Sequence, residues 1–389
     1  MTSETSFHNA RIVLHDRVIS GSVLVRDGVI TDISEGSAGT GHDLEGDFLM
    51  AGLVEVHTDH LEQHFVPRPK THWDPIPAVL SHDAQMAAAG ATTVLDAIRI
   101  GALLGDGDSV TEGALQMLAA VEHAAAAGIT RAEHFVHLRC EVSAADCVQA
   151  FDAVGESPRL RLVSLMDHTP GQRQYADVSA FRTYMVGKGR VAEHEIEDVM
   201  QRLQRVAEEY SDAHRRAIAL RATARGLALA AHDDATLEHV DEAALLGVTI
   251  AEFPTTAAAA AAASAAGQLI VMGAPNIVRG GSQSGNVAAT ELWEAGLLDI
   301  LSSDYVPSSP LQAVFKLFGE GKITLPEGSA VISGNPARAV GLDDRGRIEV
   351  GARADLIRVG THHAPVERHP SAAPIPLVRG VWREGTRVS

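Results

Sequence analysis

Several apolar runs in this chain break off in a side chain able to bind a divalent cation. The run Leu53 to Val56 ends in His57, with Asp59 two residues on. Glu141 follows His137-Leu-Arg-Cys140, and His168 follows Leu165-Met-Asp167. His232 follows Leu227 to Ala231, and Asp304 follows Ile300 to Ser303. In an extended segment residues i and i+2 point to the same side, so His57 and Asp59 can reach one point past a strand end. Three imidazoles and three carboxylates form an oxygen and nitrogen donor set suited to zinc, with manganese or iron as alternatives. The set is large enough for two ions bridged by a carboxylate and a hydroxide. Glu141 is the expected bridge, and Asp304 is the expected ligand that also takes a proton from attacking water. A lone strand-end His or Asp is more commonly a helix cap. Joint placement on five strands argues for a common site. His134, His137, His194, His214 and His239 sit inside runs or on helix faces and read as non-ligands. His60 and His64 are candidate contacts to the ligands or to substrate.

Something must bring five strand ends together. An Ala-rich segment, a Gly stop and a β-rich run recur, as in Ala87 to Gly90 before Thr92 to Asp96, and Ala265 to Gly267 before Leu269 to Met272. Glycine just past a helix relieves the left-handed cap conformation. Helix–strand alternation implies parallel strands joined by helical crossovers. The expected strands are 51–56, 92–98, 134–140, 161–166, 226–231, 248–253, 269–274 and 299–303. Eight of them predict an α/β fold, a (β/α)8 TIM-like barrel whose chemistry lies at the C-terminal strand ends. Thr255 or Thr256 should cap the Ala-rich helix that follows. Residues 10–48 and 345–388 instead carry short alternating runs without crossover helices. The expected division is a composite β-sandwich from 1–48 and 345–389 and a catalytic barrel from 49–344.

At 389 residues, with 46% hydrophobic and only 4% aromatic residues, the chain can bury a large core packed by small side chains. A net charge of −18 argues against a nucleic-acid or membrane-surface binder, although local arginines can still hold an anion. Cys140 and Cys147 are too few for a disulfide framework and read as reduced thiols. No run suggests a membrane span or a secretion signal, so a cytoplasmic enzyme is expected. Self-association into a homo-oligomer is left open.

The strand-end ligands, the flanking β runs and the tail Gly351-Ala-Arg-Ala-Asp-Leu356 resemble the amidohydrolase superfamily. Its usual first motif is His-x-His, where this chain has His57-Thr-Asp59. That departure matches one branch, the diphosphatases of phosphonate metabolism, along with Asp96-Ala-Ile-Arg99, His137 to Val142, Met166 to Tyr175, His232-Asp-Asp234, Met272 to Ser282 and Ser302 to Ser308. The resemblance implies a metal-dependent phosphoanhydride hydrolase of the carbon–phosphorus lyase pathway. Its substrate would be alpha-D-ribose 1-methylphosphonate 5-triphosphate, cut to the 5-phosphate and pyrophosphate. A C–N amidohydrolase, a deacetylase or deaminase on a small polar substrate, is the competing expectation.

A triphosphate calls for inward cations and backbone N–H groups. Arg99, Arg139, Arg173 and Arg279, with Ser282 and Tyr305, are the expected substrate contacts. The Gly- and Ser-containing segment 276–286 follows the seventh strand, where such barrels often bind phosphate. Arg202, Arg205, Arg215, Arg216, Arg221 and Arg225 lie at helical spacing and read as a solvated face. The polar stretch 182–210 is expected to be a loop and helix over the mouth, a lid bringing Lys188 and Arg190 near substrate, or a plain surface excursion.

Overall fold

A computed structural model of the chain describes residues 3–36, 39–68, 71–103, 107–154, 157–187, 189, 191–282, 285–363 and 373–389. Eight strands pair in sequence order to build a barrel: Leu53–Thr58, Ala91–Ile100, Glu133–Glu141, Leu160–Met166, Ala228–His232, Ile250–Glu252, Leu269–Gly273 and Ile300–Ser302. Every ladder between neighbours is parallel. The eighth strand meets the first only through a single bridge, Thr58 with Asp304. Gly90 ends the helix before the second strand with φ 100°, a backbone state that a β-carbon would strain. Thr256 caps the Ala-rich helix Ala257–Ala265 by accepting the Ala259 amide.

The lower barrel is filled by Val54, Val56, Leu95, Phe135, Leu162, Ala230, Ile250, Val271 and Ile300, with Ala337, Val340 and Leu342 packed against them. An apolar floor of this kind leaves the C-terminal strand ends as the polar pole. The two termini meet in one mixed sheet, in which Phe48–Ala51 lies between Glu4–Val13 and Leu356–His362. That strand runs through Gly52 straight into the first barrel strand. A β-carbon at Gly52 would collide with Thr92, so the entry needs glycine. Among the described residues no helix is long and apolar enough to cross a membrane. Cys140 and Cys147 are buried and free.

The stretch 182–210 resolves into the end of helix Val178–Gly187 and the start of helix Ile196–Ala224. Phe181, Met185, Val191, Ile196, Met200 and Leu203 give it a small core of its own. Lys188 and Arg190 lie outside the described residues. The long helix corrects one expectation: Arg215 is 5% exposed, not on a solvated face. It turns inward to Glu242 at 3.4 Å and Asp167 at 3.7 Å, because two acids on neighbouring elements offset its burial.

Behind the second and third strands lies a wholly buried ionic network. Asp96 accepts from His82 Nε2 at 2.7 Å and from His134 Nδ1 at 2.9 Å, and His134 Nε2 reaches Asp83 at 3.2 Å. Burial alone would lower the His134 pKa, but Asp96 and Asp83 outweigh it and raise it from 6.5 to about 9. Burial would raise Asp96, but His134 and His82 bring it from 3.8 to about 2. The His134 contribution to stability is complete below pH 6.5 and is lost as pH rises through about 9. The Asp96 contribution is complete above pH 3.8 and is lost as pH falls through about 2. Asp96→Asn should therefore destabilise the protein by about 3–5 kcal/mol near pH 6. Urea unfolding across pH should show that gap narrowing at both extremes; a pH-independent gap would refute the assignment.

Candidate metal centre

The polar pole collects side chains from five strand ends. His57 lies in the first strand, and Asp59 comes one residue after it. His168 sits two residues past the fourth strand, and His232 ends the fifth, followed by Asp233. Glu252 ends the sixth, and Asp304 lies two residues past the eighth. Asp233, Phe253 and Asp304 take φ of 60°, 57° and 51°. Left-handed non-glycine residues bend the chain sharply and carry strain that gathers at functional sites. Here the bends turn the residues after the strands back toward the mouth.

Glu252 is the hub. Its Oε1 lies 2.7 Å from His57 Nδ1, and its Oε2 lies 2.6 Å from His232 Nδ1 and accepts the Ser164 hydroxyl at 2.7 Å. His137 sits alongside, with Nδ1 2.9 Å from the Val56 carbonyl and Nε2 bonded to Ser164. Burial would raise the Glu252 pKa, but His57, His137 and His232 together hold it well below the usual carboxylate range. A carboxylate at Nδ1 fixes the proton there and leaves the Nε2 lone pair free for a cation. The Phe253 ring packs edge-on against both imidazoles, with centroids at 4.9 Å and 5.3 Å.

The free Nε2 atoms face carboxylates. His57 Nε2 lies 3.7 Å from Asp59 Oδ1, and Asp304 completes that group. His232 Nε2 lies 3.3 Å and His168 Nε2 3.9 Å from Asp233 Oδ2. Asp233 Oδ2 is buried yet accepts no hydrogen bond. An orphaned carboxylate oxygen between two imidazole nitrogens fits a divalent cation, since burying it otherwise is costly. Two adjacent ligand groups, His57–Asp59–Asp304 and His168–His232–Asp233, flank the Glu252 hub.

The structure thus brings His57, Asp59, His168, His232 and Asp304 together, and adds Asp233 and Glu252. Glu141 belongs to none of the ligand groups among the described residues. Its Oε1 accepts the His168 amide at 2.9 Å and the Ser143 hydroxyl at 2.9 Å, and its Oε2 pairs with His168 Nδ1 at 2.6 Å. Burial would raise it, but His168 lowers its pKa to about 2. That geometry orients His168 and engages both Glu141 oxygens in hydrogen bonds. The Asp304 pKa is raised from its ordinary value, first by burial and also by Asp59. Burial would also raise Asp59, but Arg139, His57 and His232 lower it. His60 is buried and His64 Nε2 lies 3.0 Å from Gln85 Oε1; among the described residues neither belongs to a ligand group.

The expected phosphate contacts separate into classes. Arg99 and Arg139 lie in register on adjacent strands, each near its strand's C-terminal end. Arg139 Nη1 donates to Asp59 Oδ1 at 2.6 Å, while Nε of both arginines has no hydrogen-bond partner. Arg173 is instead buried in an ion-pair cluster with Asp234 and with Glu242 at 3.2 Å. Burial and then Arg215 lower its pKa to about 9. Arg279 is exposed and donates to the half-buried Tyr305 hydroxyl at 3.3 Å. Ser282 is half-buried at the end of a described stretch.

Residues 210–389 match the model of the Amidohydrolase family. The Alpha-D-ribose 1-methylphosphonate 5-triphosphate diphosphatase of Escherichia coli (strain K12) is 44% identical over 385 residues, 98% of this chain and 99% of that protein. The dihydropyrimidinase from Brevibacillus agri NCHU1002 is similar in structure, with a TM-score of 0.61 and 13% identity over 99% of this chain and 95% of its own. The N-acetylglucosamine-6-phosphate deacetylase from Pasteurella multocida has a TM-score of 0.57 and 13% identity, with 99% of each chain covered. At such identities the structural likenesses speak for the fold alone.

Proposed function

Since this chain belongs to the amidohydrolase family, we propose that it hydrolyses alpha-D-ribose 1-methylphosphonate 5-triphosphate to the 5-phosphate and pyrophosphate. The observation that carries this is the near full-length 44% identity to the E. coli diphosphatase. The mouth supports it, because Arg99 and Arg139 are register partners near the ends of the second and third strands and Arg139 pairs with Asp59 of the His and carboxylate cage. A neutral amide substrate would have no use for that pair.

His57, His168, His232, Asp59, Asp233 and Asp304 would hold one or two divalent ions, zinc first, with manganese or iron as alternatives. Such ions supply Lewis-acid polarisation of phosphoryl oxygens and acidification of water. Asp304 accepts the proton of the water that attacks phosphorus. Arg99 and Arg139 neutralise charge on the phosphoryl oxygens as pyrophosphate departs in line. Glu252 and Glu141 hold the imidazole rings in the tautomer that leaves Nε2 free. The bond between ribose and phosphonate takes no part.

Arg99→Ala should raise KM for the triphosphate about 10–100-fold, the worth of a charge-assisted bond to phosphate. Initial-rate kinetics on released pyrophosphate check this, and an unchanged KM would remove Arg99 from the phosphate site. The function itself is tested by offering ribosyl and nucleoside triphosphates beside cyclic amides and N-acetyl sugars. Triphosphate turnover is expected. Turnover of the amides alone would contradict the proposal.

A further inference from the structure

Glu55 has no place in the ligand cage, yet its buried carboxylate sits at the barrel's weakest joint. The eighth strand is laddered to the seventh through Val271–Ile300, Met272–Leu301 and Gly273–Ser302, but it has only an isolated bridge to the first. The first strand's register against the second slips between Glu55 and Thr58. A slip of this kind leaves backbone amides without ladder partners. Glu55 supplies one acceptor to each side of the joint: Oε1 takes the His57 amide and Oε2 the Ser303 amide, each at 2.8 Å. The residue is 4% exposed, so both bonds are shielded from water. Beyond them main-chain bonds hold the seam, Asp304 N to the His57 carbonyl at 3.1 Å and Asp59 N to the Asp304 carbonyl at 3.2 Å.

The three residues fastened across this joint are His57, Asp59 and Asp304, which together form one of the ligand groups at the mouth. We infer that Glu55 is a positioning residue that splices the first and last barrel strands and thereby sets the spacing of that ligand group. The inference rests on the mouth being a metal site. Glutamine at this position has one acceptor oxygen for two amide donors, and its own NH2 must then face an N–H. Aspartate keeps the charge but is one methylene too short to span both amides.

The test titrates metal-free wild type, Glu55→Gln and Glu55→Asp with zinc ion against a chromophoric chelator. Hydrogen–deuterium exchange of the same proteins is followed in peptides covering 53–60 and 300–306. Loss of such an outer partner typically weakens metal binding about 10–100-fold. That loss is expected in Glu55→Gln, with Glu55→Asp between it and wild type. Exchange should rise in those two peptides and stay unchanged in 269–273, and kcat for pyrophosphate release should fall while KM stays near wild type. Wild-type zinc affinity and exchange in Glu55→Gln would overturn the inference. If Glu55→Gln does not fold, Glu55→Asp decides alone: weaker zinc binding supports the splice, and wild-type behaviour overturns it. A wild-type protein that binds zinc but cuts no triphosphate would refute the proposed substrate and leave the affinity comparison standing. A wild type that binds no zinc would overturn both.

Discussion

Asp304→Asn is expected to lower kcat by about 10²–10⁴-fold, the usual share of a positioned general base. The substitution is nearly isosteric, and asparagine tolerates the left-handed backbone at φ 51° as well as aspartate does. The main-chain bonds that tie residue 304 to His57 and Asp59 are untouched. Folding should therefore survive, with a melting temperature close to wild type. The amide has no basic oxygen for the proton of attacking water, and it is a poorer partner for a cation. KM should move little, because the phosphate-facing arginines remain. Steady-state kinetics and a melting curve on the same preparation separate these effects. A kcat within a few-fold of wild type would remove Asp304 as the base.

Glu252→Gln should damage both the site and the fold. The carboxylate faces Nδ1 of His57 and of His232 through different oxygens and also takes the Ser164 hydroxyl. A glutamine amide can accept from only one of the two rings. The other ring must then carry its proton on Nε2, which places an N–H where a cation needs a lone pair. Zinc affinity should fall about 10–100-fold, with kcat falling alongside it. Breaking a buried charged cluster by removing one member should also cost about 3–5 kcal/mol of stability. Zinc titration and urea unfolding are the checks. A variant with wild-type zinc affinity would mean that Glu252 does not set the imidazole tautomers.

The barrel was legible because its signals are local. Gly90 and Gly267 mark helix ends, and apolar runs such as Leu269 to Met272 mark strands. His57, His168, His232 and Asp304 were visible as polar residues interrupting such runs. Glu252 was not, because its strand is only Ile250–Glu252 and its end is set by the left-handed turn at Phe253. Asp233 was hidden for the same reason, since alternation beyond His232 would send it away from the mouth. The backbone instead bends at Asp233 itself. Glu141 sits at the right strand end, but His168 arrives from the next strand's loop, and Ser143 turns back from two residues on, to engage its oxygens. Arg173 follows the same pattern: Asp234 and Glu242, distant in sequence, draw its guanidinium into a buried cluster. Pairings between loops leave no periodic trace in a sequence, whereas helix stops and strand runs do.

The central claim is that this mouth uses bound metal to expel pyrophosphate from a ribosyl triphosphate. Phosphorus NMR of alpha-D-ribose 1-methylphosphonate 5-triphosphate, incubated with metal-stripped protein and then with protein resupplied with zinc or manganese, tests it most directly. Pyrophosphate and the 5-phosphate should form together only after metal is returned, with the phosphonate signal still that of a sugar-linked ester. Full turnover by the stripped protein, or release of single phosphate in place of pyrophosphate, would contradict it.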